Sequence, residues 1–124
     1  MLKRHFLDMY DFNCWGRDRM LDTAETLTAE QFDEETRFPF HTIKETLVHT
    51  MSAEHTYRMR CQLQPNKGLE TSDFPDLTSI RTYWIDEEQK MRKYLSGIDE
   101  SDLAESVRYK ASSGEEFVRT RLVL

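Results

Sequence analysis

Glycine and proline are scarce in this chain of 124 residues, with 4 and 3 copies, so turns are few and long elements are expected. Cysteine is scarcer. Cys14 and Cys61 stand far apart, form no CxxC pair and are too few for a disulfide framework. They read as two reduced, partly buried thiols with no adjacent base or helix N-terminus to activate them. No apolar run approaches membrane-spanning length. The N-terminal MLKRHFLDMYDF carries charge but lacks the apolar core of a signal peptide. A cytoplasmic protein is expected. Blocks of positive charge are also missing. The net charge is −6, and pairs such as Lys3-Arg4, or Arg58 with Arg60, read as wet helix faces, which argues against nucleic-acid binding. There is no Gly-rich phosphate loop, GxSxG elbow or dinucleotide fingerprint.

Charged residues make up 32% of the chain against 38% hydrophobic, and 11% aromatics argue against disorder. With a mean hydropathy of −0.74, this balance suits amphipathic helices with broad polar faces. The length fits one domain over residues 1–124.

Apolar spacing predicts a first helix over 2–26, with Leu2, Phe6, Met9, Tyr10, Asn13, Arg17, Met20, Leu21 and Ala24 on one face. Phe12 and Trp15 widen that stripe and are read as core. Gly16 either weakens the helix or admits a neighbouring backbone. Thr28 to Gln31 is a capping box that should open a short helical turn. Pro39 forces 36–40 to be an extended connector. Thr42 with Glu45 caps a central helix running to Cys61. Its expected inner face is Ile43, Leu47, Thr50, Met51, Glu54, Tyr57 and Cys61. His49 sits on a bordering stripe with Val48, Ser52, Ala53 and Thr56, as either a structural hydrogen-bonder or a metal ligand. A long loop marked by Pro65-Asn66, Lys67-Gly68 and Phe74-Pro75-Asp76 follows. The third long helix spans about 78–96, burying Ile80, Tyr83, Trp84, Glu87, Met91 and Leu95, with Gly97 as its C-cap. Asp99 to Asp102 reads as a turn cluster. Ser106–Lys110 and Glu115–Arg119 read as a hairpin turning at Ser112-Ser113-Gly114.

Three features together resemble the DinB family, the damage-inducible and YfiT-like metal-binding four-helix bundles. They are Tyr10–Trp15 leading through Met20-Leu21 into Leu27–Phe32; Ile43–His49 with Glu54; and the hairpin around Tyr109 and Gly114. The resemblance implies an all-α up-down bundle with a small β-hairpin after its third helix, usually dimeric, and a link to stress or damage responses. It also implies a divalent metal such as zinc or nickel on three histidines. His49 matches the first of them. The other two belong to an HxxxH segment in a fourth helix, and relatives include S-transferases that use small-molecule thiols.

The sequence stops at Leu124, where that fourth helix would begin, and holds no HxxxH. His5, His41 and His55 remain. His55 lies about 240° around the helix from His49, and Glu54 about 140°. His49 is therefore the single candidate metal ligand, and the metal site is expected to be incomplete. Glu54 and Glu87, on inner faces, could serve acid–base chemistry, but bonds to Asn13, Arg17 or Tyr57 are the favoured expectation. Three amphipathic helices should also leave an apolar groove, so a homodimer is expected. The leading expectation is a helical-bundle binding protein. The alternative is a metal-dependent thiol S-transferase, should a longer product supply the HxxxH segment.

Overall fold

The structure, a computed structural model, describes residues 2–36, 42–65, 67–111 and 113–121. Five helices come first: α1 (Leu2–Ala24), α2 (Ala29–Asp33), α3 (Ile43–Cys61), α4 (Leu77–Gly97) and α5 (Glu100–Leu103). Two strands follow, β1 (Ser106–Lys110) and β2 (Glu116–Thr120). α1, α3 and α4 are the long rods, and α4 packs along both of the others.

Local capping chemistry sets most boundaries. Thr28 and Gln31 exchange side-chain-to-backbone bonds at 3.1 and 2.9 Å, so α2 opens with the expected reciprocal box. Thr42 Oγ1 accepts from the Glu45 amide at 2.9 Å and opens α3. α4 begins one residue earlier than expected because Asp76 caps it, accepting from the Ser79 amide at 2.8 Å. Asp99 does the same for α5, so the expected turn cluster is a short helix. Gly97 is the last residue of α4 rather than its cap. Ile98 leaves the helix in extended conformation, straight into the Asp99 cap, and no left-handed residue is needed. A 3-10 turn over Thr71–Asp73 breaks the long loop. The connector at 37–40, His41, Asn66 and Ser112 lie outside the described residues.

The core gathers Leu21 and Ala24 of α1, Phe32 of α2, Leu47, Val48 and Met51 of α3, Phe74, and Ile80 and Trp84 of α4. Trp84 is fully enclosed, and burying such an indole contributes on the order of a few kcal/mol. The α4 face is the expected one: Ile80, Trp84 and Glu87 are buried, while Tyr83, Met91 and Leu95 are half-buried. Asp86–Lys90 and Glu88–Arg92 form the i,i+4 pairs outside it.

On the other two rods the centre of the expected face holds, with Arg17, Leu21 and Ala24 of α1 and Leu47 and Met51 of α3 buried, but its edges differ. On α1, Cys14, Arg17, Leu21 and Ala24 point inward. Phe12 and Trp15 do not join the core: they are 71% and 54% exposed and stack on each other at 5.5 Å. At about 100° per residue Phe12 points nearly opposite Cys14, so one helix cannot bury both. On α3, Val48 is buried and Tyr57 is 45% exposed, the reverse of what was expected for these two edge residues. Apolar side chains surround this helix on several sides, so the covering surfaces of α4 and α2 choose which edge is inside.

β1 and β2 pair antiparallel, with Val107 opposite Arg119 and Tyr109 opposite Phe117. β2 starts one residue later than expected. The turn closes through Gly114, whose φ of 88° is a left-handed value that glycine adopts without strain. Val107 is buried where the hairpin packs on α3.

Candidate functional site

α3 separates two environments. Its inner side faces α1 and α4 and holds the bundle's carboxylates. Its outer side, with His49, Ser52, Thr56 and Arg60, borders an open cavity of about 680 Å³ under the hairpin and the 67–69 loop.

The inner carboxylates are all engaged. Glu54 accepts from Asn13 Nδ2 and from Trp84 Nε1, both at 2.6 Å, and so ties α3 to α1 and α4. Asn13 is one of its expected partners, whereas Trp84 had no signal beyond being a buried indole that needs an acceptor. Glu87 accepts from Arg58 Nε at 2.6 Å and faces His55 Nδ1 at 2.9 Å. A carboxylate oxygen only accepts, so Nδ1 carries the hydrogen in this pair. Neither partner was among those expected for Glu87. Arg58 and His55 fall outside the inner face read from spacing, and packing against α4 brings them in. Glu88, read as a surface residue, clamps Arg17 of α1 at 2.6 Å and Arg92 at 2.9 Å. Burial would raise the Glu88 carboxyl, but hydrogen bonds from Arg92 and Arg17 outweigh it and hold the group below its usual range.

Both thiols are free. Burial, reinforced by the Glu88 charge, pushes the Cys14 thiol up to about 11. Burial also raises Cys61, which lies beside Tyr94. Neither is a poised nucleophile, as expected. Beside Cys61 the ends of α1, α3 and α4 enclose an apolar cleft of about 280 Å³ lined by Phe6, Met9, Tyr10, Met91 and Leu95.

His49 is exposed on the cavity side of α3, facing away from the core. His55 is committed to Glu87, His5 is exposed on α1, and His41 lies outside the described residues. Among the described residues no group of three or more His, Cys, Asp or Glu side chains is placed to hold an ion. Among the described residues, the cavity that His49 borders is lined by hydroxyls and cations, namely Ser52, Thr56, Arg60, Lys67 and Lys110. That donor set does not fit a divalent metal, which needs several anionic or neutral donors converging on one point.

Rods, caps and hairpin define a helical bundle with a small antiparallel appendage. The DinB family model matches residues 1–119, and the chain belongs to the DinB family. No curated protein matches it. Among the described residues no helix is long and apolar enough to cross a membrane.

Proposed function

We propose that this DinB-family chain works in the cytoplasm as a ligand-binding helical scaffold and is not a self-contained metalloenzyme. The observation that carries this reading is the lining of the cavity that His49 borders: among the described residues it is one imidazole, hydroxyls and three cations, with the inner carboxylates Glu54, Glu87 and Glu88 held in structural bonds. The hydrogen bonds of these carboxylates go to partners inside the bundle, where they tie helices together. The open cavity outside α3 is then the place where a ligand meets the protein.

The exposed strip of α1 supports a second part of this reading, association with another copy of the chain. Met9, Phe12, Trp15 and Met20 are each 47% exposed or more, and a self-complementary apolar strip suits a two-fold contact.

The competing reading is a divalent-metal thiol S-transferase with His49 as first ligand. Titration of the purified, metal-stripped chain with zinc and with nickel separates the two. Substoichiometric uptake, unchanged in His49→Ala, is expected. One equivalent bound tightly and lost in His49→Ala would overturn the scaffold reading.

A further inference from the structure

The cavity outside α3 is cationic in an acidic protein. The chain has 23 acidic residues against 17 basic ones. Yet Arg60, Lys67 and Lys110 line this cavity, Arg60, Lys110 and Arg108 line the adjoining one, and no carboxylate lines either among the described residues.

Elsewhere the arginines that hold the bundle together meet carboxylates: Arg17 at Glu88, Arg58 at Glu87, Arg92 at Asp11 and Arg121 at Glu105. Arg60 does not. Its guanidinium lies 4.3 Å from the centre of the Tyr109 ring and 5.4 Å from that of Tyr57. Its Nε is enclosed and has no hydrogen-bond partner among the described residues. A guanidinium lying over aromatic rings can still offer its Nη donors, and that end matches an oxyanion two bonds at a time, while the enclosed Nε stays out of reach of a ligand. A cation held this way loses little side-chain freedom when a ligand arrives.

Two other cations reach the cavity from neighbouring elements. Ser52 Oγ accepts from the Leu69 amide at 2.9 Å, which pins the loop carrying Lys67 against α3. Lys67 makes a long contact of 3.8 Å to Glu70, and its side chain is 87% exposed. On β1, buried Val107 and half-buried Tyr109 face α3, while Arg108 and Lys110 belong to the strand's other, exposed face, and Lys110 lines the cavity from that side. Glu116 stands opposite Lys110 in the ladder, and among the described residues no ion pair joins them. Thr56 adds a hydroxyl to the wall.

We infer that this cavity binds a small dianion, a phosphate or a dicarboxylate, with Arg60 as its fork and Lys110 and Lys67 as flanking charges. This deepens the ligand-binding reading by naming the ligand's chemistry. A nucleic acid does not fit, since a chain of net charge −6 repels a polyanion as a whole.

The test is calorimetric titration of the full chain, metal-free and at low salt, with inorganic phosphate in one arm and succinate in the other. Backbone amide shifts locate the site. Saturable one-to-one binding of at least one probe is expected, with shifts gathered around Thr56, Arg60 and Lys110. The arm that saturates identifies the acid group. Arg60→Gln should weaken binding about tenfold or more, the loss expected for a charged hydrogen bond. Lys110→Glu, an exposed change that does not threaten folding, should weaken it as well. Arg81→Gln, at an arginine paired with Asp22 and Glu25, should leave affinity unchanged. No saturation by either probe at millimolar concentration, or affinity undiminished in Lys110→Glu, would overturn the inference. Either failure concerns the ligand's class, whereas tight metal uptake at His49 would strike the scaffold reading itself.

Discussion

Arg58 donates from Nε to Glu87 Oε2 at 2.6 Å, and both side chains are buried. His55 bonds the second oxygen of the same carboxylate, and Gln62 accepts from Arg58 Nη1 at 2.6 Å. The pair locks α3 to α4 from inside, and its charge is matched locally. Glu87→Ala removes the anion and leaves a buried guanidinium uncompensated, which costs about 3–5 kcal/mol. Urea unfolding should show that loss. Glu87→Leu combined with Arg58→Met should recover most of it, because an apolar pair of similar size avoids the desolvation cost. A double variant no more stable than Glu87→Ala would refute this account.

Glu88 gives the bundle an acid-sensitive clamp between α1 and α4. Its folded-state pKa lies below the reference of 4.5, since the bonds from Arg92 and Arg17 outweigh burial. As pH falls, the unfolded chain takes up this proton first. The stabilisation from Glu88 is thus complete above the unfolded value and drains away as pH drops through the folded one. Thermal melts from pH 7 down to pH 3 should show a steeper loss for the wild type than for Glu88→Gln. Parallel curves would remove Glu88 from the acid response.

Phe12 and Trp15 stack on each other at the surface of α1, and Arg19 lies 5.0 Å from the Trp15 ring centre. If this strip meets its copy in a second chain, light scattering after gel filtration should report a dimer at micromolar concentration. Phe12→Glu with Trp15→Glu should yield a folded monomer of unchanged helicity. A wild-type monomer under the same conditions would count against self-association.

What could be read without coordinates was whatever depends on neighbours a few positions away. The Thr28–Gln31 box, the Thr42 cap, the Gly114 turn and the Ile80–Trp84–Glu87 face rest on spacings of two to four residues. Asp76 with Ser79 and Asp99 with Asp102 carried the same kind of signal and went unread. His49 stood out by its place on a bordering stripe and by resemblance, as a metal ligand or a structural hydrogen-bonder, and the structure places it at the edge of the open cavity. The cationic lining could not be seen in advance, because Arg60, Lys67 and Lys110 come from a helix, a loop and a strand far apart in the chain.

The run of residues thus determined three long rods, their caps and a hairpin, through local hydrogen bonding and helical periodicity. Where the buried stripe of α1 and α3 ends was settled by tertiary packing. The surfaces of Trp84, Phe32 and Ile80 cover Leu21, Ala24, Leu47 and Met51 as expected, yet leave Phe12 and Trp15 exposed, bury Val48, and bring His55 and Arg58 onto Glu87. An amphipathic stripe wide enough to permit several boundaries is given a single one by the surface it packs against.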